Sequence, residues 1–250
     1  MPSLKQLIHL VCGRRIHVDN LPLSWYVEKL ARGEPFSFAR YGDGEWNAIL
    51  GVKGANCDGH EYFPTLGAAL RGAIERPLPY YYAMQRSALR DMGLRIARFL
   101  EKHRGAVRRW HDADVFHRAS GKGLLFPLVR QLRCMDIVII GPPHLRPLSD
   151  GVVPYRHFIE ISPRNCFVAA DDIRAQALAY GQGRRGIVYA FSASMTANVI
   201  IHDLFPQLGG SNWLIDFGSL WDAFAGAPSR GYQRDSGFKE SLRRNLGEGM

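Results

Sequence analysis

The residues best suited to chemistry lie in one run, Phe36-Ser-Phe-Ala-Arg-Tyr-Gly-Asp-Gly-Glu-Trp46. Residues 36–39 read as a short apolar strand, 40–45 as a turn, and 46–50 as the start of a helix. The turn holds Arg40, two glycines and two carboxylates. Asp43 and Glu45 are one residue apart, and like charges that close repel unless a cation lies between them. Gly42 and Gly44 let the backbone turn sharply and a ligand approach. A hard divalent ion taking oxygen from Asp43 and Glu45, with diphosphate oxygens completing its shell, accounts for the pattern. So does a plainer reading, in which Gly-Asp-Gly-Glu is a solvated turn and helix start.

Such a turn needs a scaffold, and the rest of the chain supplies one. Apolar periodicity predicts helices over 21–32, 66–74, 92–103, 124–134, 171–180 and 195–205. Strands are expected at 80–84, 114–117, 136–140, 158–161, 186–191 and 213–217, the run Asp136-Ile-Val-Ile-Ile140 being the clearest buried strand. Residues 1–12 read as an amphipathic helix, since His9 interrupts the apolar run and no cleavage site follows. Strands alternating with helices mean βαβ units, hence a mostly parallel sheet with helices on both faces. The expected fold is α/β, a single Rossmann-like domain over 1–225, without internal repeat or linker. From 226 to 250, Gly, Ser, Arg and Asn dominate and poor order is expected.

Ligands of such sheets sit beyond the carboxyl ends of the strands, which directs attention to four loops. The first is 40–45. The second, 141–146, contains His144 and Arg146, and the third is Ile161-Ser-Pro-Arg-Asn-Cys-Phe167, with Asn165. The fourth, Ser192-Ala-Ser-Met-Thr-Ala-Asn198, enters a helix whose first N–H groups form a ready phosphate site. Ordinary capping by Ser194 or Thr196 explains it equally well. Asp216 ends the last strand and Asp222 lies six residues on; each is a candidate third metal ligand, catalytic base or turn former. Asn56, Asp58, His60 and Glu61 in the loop 51–63 can face the same pocket or simply form surface.

The chain has 250 residues, 46% hydrophobic and 22% charged, as in an ordinary globular protein, and no run long enough to span a bilayer. Cys12, Cys57, Cys134 and Cys166 are scattered, which argues against a zinc site or a disulfide framework and for a reducing cytoplasm. The nine histidines show no zinc-hydrolase spacing. The net charge of +9 is carried by arginine, whose planar fork suits phosphate. It points to nucleic acid, an anionic membrane surface, phosphorylated small molecules or solvated surface.

Arg40-Tyr-Gly-Asp-Gly-Glu45 after a strand resembles the Arg-aromatic-Gly-Asp-Gly-Glu signature of the GT-D-fold glycosyltransferases, formerly a bacterial domain of unknown function. The segment from Phe158 to Phe167 with Asp171-Asp-Ile173, the turn and helix from Ser192 to Asp203, and Trp213 to Asp222 are similar to later segments of that family in order and spacing. Together they cover roughly residues 20–225. Departures are Tyr41 for the usual Phe, Ser192 and Ser194 where Gly-Pro is commoner, and the unmatched tail. The resemblance implies a metal-dependent transferase moving a sugar from a nucleoside-diphosphate-sugar, UDP first among them, to an acceptor hydroxyl on a glycan, glycoprotein or lipid-linked glycan. It implies Mn²⁺ or Mg²⁺ on Asp43 and Glu45, with Arg40, Gly42, Gly44, Arg146, Asn165, Ser192, Ser194 and Thr196 at the donor. Asp216 and Asp222 are the candidate bases, and the expected location is cytoplasmic or membrane-peripheral. The alternatives are a metal-dependent phosphoesterase and a basic nucleic-acid-binding protein; the latter merges with the transferase if DNA is the acceptor.

Overall fold

A computed structural model describes residues 4–55 and 61–248. In chain order the first elements are α1 (Leu4–Gly13), β1 (Val18–Asp19), α2 (Leu23–Ala31), β2 (Ser37–Tyr41), α3 (Asp43–Ile49), α4 (Pro64–Glu75), β3 (Tyr81–Met84), α5 (Arg86–Lys102) and β4 (Trp110–Asp112). There follow α6 (Val115–Gly121), α7 (Phe126–Leu132), β5 (Asp136–Gly141), β6 (His157–Glu160), α8 (Ala170–Gly181), β7 (Ile187–Phe191), α9 (Thr196–Leu208), β8 (Trp213–Asp216), α10 (Gly231–Arg234) and α11 (Phe238–Leu246). Two 3₁₀ turns, Pro143–Ser149 and Cys166–Ala169, follow β5 and β6. The chain divides into two compact units, Met1–Leu21 with Phe38–Asp114, and Pro22–Ser37 with Val115–Met250. The expected α/β architecture with parallel strands is present in both.

In the first unit the strands are parallel in the order β1-β4-β3-β2. Tyr41 lies beside Met84, and Met84 beside Asp112, so the carboxyl ends of β2, β3 and β4 are level. An aromatic cluster anchors the first of these. Trp46, fully buried, donates its indole N–H to Met84 Sδ at 3.1 Å and packs 5.9 Å from Trp110, which meets Tyr41 edge-on at 5.8 Å. Removing a buried side chain this large costs about 3–5 kcal/mol, so Trp46 holds the first turn of α3 firmly at the end of β2.

In the second unit the order is β8-β7-β5-β6, again parallel. Phe191 pairs with both Ile140 and Asp216, and Gly141 with Glu160, so these carboxyl ends are level too. The Ile-Val-Ile-Ile run of β5 is buried throughout, as its position between β7 and β6 requires.

Three expectations change. The strand expected at 114–117 is instead the start of α6; the strand lies earlier, at Trp110–Asp112. The reason is Asp112, whose Oδ1 accepts the Asp114 N–H at 2.9 Å and turns the chain into the helix that buries Val115 and Phe116. The helix expected from 46 begins at Asp43, because Gly42 is its N-cap and Glu45 its capping partner. Residues 226–248, expected to be poorly ordered, carry α10 and α11, held in the second unit by the buried Phe238 and by polar groups. Asn245, fully buried, accepts the Leu125 N–H and donates to the Ser120 carbonyl, both at 2.8 Å. Ser241 Oγ donates to the Gly121 carbonyl at 3.1 Å.

Candidate active site

Each unit carries a polar cluster at the carboxyl ends of its strands. In the first, Arg40, Gly42, Asp43, Gly44 and Glu45 come together at the end of β2 as expected, spread over the strand and the first turn of α3. Arg40 Nε donates to the Ala113 carbonyl at 3.0 Å, which fixes the guanidinium over the end of β4. Glu45 Oε2 accepts the Gly42 N–H at 2.8 Å. Asp43 is exposed, with its carboxylate beside the positive end of the α3 dipole. A Cβ on Gly42 would lie 2.6 Å from Gln85 Oε1 and 3.3 Å from Glu45 Oε2, so a larger residue there would have to displace those two side-chain ends.

Neighbours unassigned from sequence complete the cluster. Gln85 follows β3 and its amide N–H lies 3.4 Å from Asp114 Oδ1. The fully buried Asp112 has Arg86 Nε 3.5 Å from Oδ2. Their only signal in the sequence was position, directly after strands, and the misplaced fourth strand hid it. Asn56, Asp58 and His60 lie outside the described residues, as does Cys57; Glu61 is exposed and bridges to Ala55. Cys12, Cys134 and Cys166 are thiols.

Asp43 and Glu45 fit a Mg²⁺ or Mn²⁺ ion in part. Both carry hard carboxylate oxygen, Asp43 exposed and Glu45 accepting the Gly42 amide through Oε2. Among the described residues no group of three His, Cys, Asp or Glu is assembled for a metal. The set therefore suits an ion whose other ligands are water and substrate phosphate, the usual habit of Mg²⁺.

In the second unit the fold brings Asn165, Ser192, Ser194 and Thr196 together. Cys166 Sγ donates to the Ala193 carbonyl at 3.3 Å, and Ser192 N–H to the Ile140 carbonyl at 2.8 Å, which joins the turns after β5, β6 and β7. Asn165 and Ser194 both have left-handed backbones, φ 52° and 49°. For Asn that is a mild demand, whereas for Ser it is a strained conformation of order 1 kcal/mol or more, of the kind that collects at ligand sites. The N-cap of α9 is Met195, and no side chain caps the helix, so the capping explanation of this turn loses its bond. The buried Ser192 Oγ meets no hydrogen-bond partner among the described residues. Arg146 stands apart, pairing through Nε and Nη2 with Glu160 at 3.0 and 2.8 Å and covering the Phe158 ring at 4.6 Å.

The two aspartates differ in their surroundings. Asp216, 4% exposed, accepts the Gly218 N–H at 2.8 Å in the turn that ends β8. Asp222, 7% exposed, lies 3.0 Å through Oδ1 from His144 Nε2, while Oδ2 accepts the Ser229 hydroxyl. Arg230 Nε donates to Ser219 Oγ at 2.6 Å and Gln233 Nε2 to the Ser219 carbonyl at 2.9 Å, so α10 braces the segment that carries Asp222. A carboxylate only accepts, so the His144 Nε2 that faces Asp222 is the donor of this contact. The sequence shows His144 right after Pro142-Pro143, but nothing in it pairs that histidine with Asp222.

Comparison with protein-family models gives no match, and comparison with curated protein sequences gives none either. Solved structures do match. One, described as "A New Glycosyltransferase (DUF1792) from Streptococcus sanguinis", superimposes with a TM-score of 0.62 at 18% identity, covering 90% of this chain and 98% of the other. Another, "The highly conserved domain of unknown function 1792 has a distinct glycosyltransferase fold", gives a TM-score of 0.63 at 15% identity over 93% of both chains. A selenomethionine structure of the same domain matches equally well. The chain therefore has the fold of the domain of unknown function 1792, the one these structures describe as a distinct glycosyltransferase fold.

Proposed function

We propose that the chain is a glycosyltransferase, moving a sugar from a nucleoside-diphosphate-sugar to an acceptor hydroxyl. The observation that carries the reading is the Asp43–Glu45 pair, set on the first turn of α3 at the strand ends of a fold described elsewhere as a glycosyltransferase fold. When bound, a divalent ion supplies Lewis-acid stabilisation to the departing diphosphate. The chain's own groups do the rest. Arg40 adds fixed positive charge beside the carboxylates, oriented by the Ala113 carbonyl. The amides at the start of α9, with the Ser192 hydroxyl, offer donors to phosphate oxygens. Asn165 and Thr196 belong to the same turns, next in sequence to Cys166 and at the start of α9. Within the second unit taken by itself, His144 is the candidate to accept a proton, while Asp222 holds its Nε2–H. Asp222 is thus a positioning residue rather than the base itself, and Asp216 is a turn former.

UDP-sugars are the first donors to test, and glycans, glycoproteins and lipid-linked glycans the first acceptors. No helix of the described residues is long and apolar enough to cross a membrane. The experiment is release of nucleoside diphosphate from a donor panel, with Mn²⁺ or with chelator, on wild type and Asp43→Ala. Release that needs the metal and vanishes in the variant supports the reading and names the donor. No turnover and no donor binding, with Asp43→Ala indistinguishable from wild type, overturns it. DNA binding that weakens steeply with salt would then favour the nucleic-acid alternative.

A further inference from the structure

Helix α1 is turned inside out. In Leu-Lys-Gln-Leu-Ile-His-Leu-Val-Cys-Gly, Leu4, Leu7, Ile8 and Val11 stand at i, i+3, i+4 and i+7 and form one stripe. A helix packed on a globular unit ordinarily turns such a stripe to the core. Here these residues are 74%, 47%, 43% and 49% exposed. The opposite side lies against α5. His9, 7% exposed, accepts the Leu94 N–H through Nδ1 at 3.2 Å. A Cβ on Gly93 would lie 2.3 Å from the His9 carbonyl oxygen, and one on Gly13 2.8 Å from that of Leu89. Close contact of glycine with backbone, together with the histidine bond, determines which side of α1 faces α5 and leaves the apolar stripe outward.

The charge around the stripe is mainly positive. Residues 4–18 contain no Asp or Glu but include Lys5, Arg14 and Arg15, the last two exposed where α1 ends. On α5 beneath, Arg86, Arg90, Arg95, Arg98 and Lys102 are exposed against only Asp91 and Glu101. Four aliphatic side chains offer an area on the order of a few hundred Å², well short of the roughly 800 Å² per partner that a stable protein interface buries. A bilayer needs no such area, because an interfacial helix works by sinking a few apolar side chains while basic groups meet anionic headgroups.

We propose that α1 docks this protein on an anionic membrane surface, sinking Leu4, Leu7, Ile8 and Val11 into the leaflet with Arg14 and Arg15 at the headgroups. The inference is independent of the transferase reading. Its test is co-sedimentation of the full chain with phosphatidylcholine vesicles, alone or with about one-third phosphatidylserine. Three variants are run beside wild type: Leu7→Gln/Ile8→Gln, Arg14→Gln/Arg15→Gln and an unrelated surface change, Arg243→Gln. The expected result is binding to the anionic vesicles that falls at least about tenfold in the leucine–isoleucine variant, falls several-fold in the arginine variant, and is unchanged in Arg243→Gln. Unchanged far-ultraviolet circular dichroism shows that the exposed substitutions leave the fold intact. Failure to pellet overturns the proposal, as does equal binding by the leucine–isoleucine variant, which leaves charge alone at work. A wild-type dimer in light scattering that the same variant splits overturns it in favour of a second copy covering the stripe.

Discussion

The two strand-end clusters are built in opposite ways. At the end of β2, Arg40 to Glu45 are consecutive, the decisive carboxylate is exposed, and one capping bond, Glu45 to Gly42, shapes the turn. In the second unit His144 and Asp222 stand 78 residues apart, Asp222 is nearly buried, and Ser229 and α10 hold it in place. The first is a local device that any strand-to-helix junction can display. The second exists only after β5 and β8 are in register and the chain beyond residue 226 has folded. A variant in the first cluster should therefore separate chemistry from stability, and a variant in the second should mix them.

Asp43→Ala is the sharpest form of that comparison. Sugar-donor turnover is expected to fall by about 10³-fold, with only a small drop in thermal midpoint, because the carboxylate is exposed and contributes little beyond its place at the start of α3. Glu45→Ala should lose comparable activity and also about 1 kcal/mol of stability, since it removes the capping partner of Gly42. If Asp43→Ala keeps its turnover, the cluster is only a helix start. In the second unit, His144→Ala is expected to lower kcat about 10²-fold with the donor KM held. Asp222→Ala should lower kcat and, more modestly, the urea midpoint, because it removes the buried acceptor that ties the exposed Ser229 and His144 to the segment after β8. Equal kcat in His144→Ala and wild type would make the pair purely structural.

The same contrast explains what the sequence disclosed. β5, β7 and β8 were legible because buried parallel strands are continuous apolar runs, and α2 because Gly33, at φ 68°, ends it as a left-handed stop. The Asp43–Glu45 motif was legible because its chemistry is contiguous. β4 was not, as its three residues Trp-His-Asp carry no alternation and the apolar pair Val115-Phe116 just beyond imitates a strand. Nor was the His144–Asp222 pair, since no local pattern encodes a contact between chain segments. The order after residue 226 was hidden for a third reason. Asn245 and Ser241 bind backbone ends of α6 and α7, contacts that no local pattern encodes, and the sparse apolar positions Phe238, Leu242 and Leu246 were outweighed by the Gly, Ser and Arg around them.

Those anchors can be tested in their own right. Asn245→Ala leaves the Leu125 N–H and the Ser120 carbonyl buried without partners, and each such group costs about 1–3 kcal/mol. A loss of roughly 2–3 kcal/mol in urea unfolding is expected. Because α10 braces the segment bearing Asp222, donor turnover should drop with it, while the metal binding proposed for Asp43 in the first unit is expected to stay intact. No loss of stability would mean that residues 238–246 contribute nothing to the second unit.

The smallest effect separates the units by pH. His111 lies on β4, 6% exposed, stacked on Tyr81 at 4.3 Å, and burial pushes its pKa down to about 4 from 6.5, with Asp19 raising it and Arg109 lowering it in smaller measure. The folded chain thus holds a neutral imidazole where the unfolded chain takes up a proton. Stability from this group is complete above pH 6.5, the unfolded value, and is lost as the pH falls toward the folded value of about 4. Allowing for residual solvent screening, the loss amounts to about 2 kcal/mol by pH 4. Urea unfolding of wild type and His111→Gln at pH 7.5 and pH 4.5 isolates the contribution, since other carboxylates titrate alike in both proteins. The difference between the two proteins should shrink in acid by about that amount, and a difference independent of pH would mean that His111 is protonated in the folded state. Because His111 belongs to the first unit, this acid weakening falls on the unit that carries Asp43 and Glu45, and donor turnover is expected to fail in acid before the packing around β5 and β7 does.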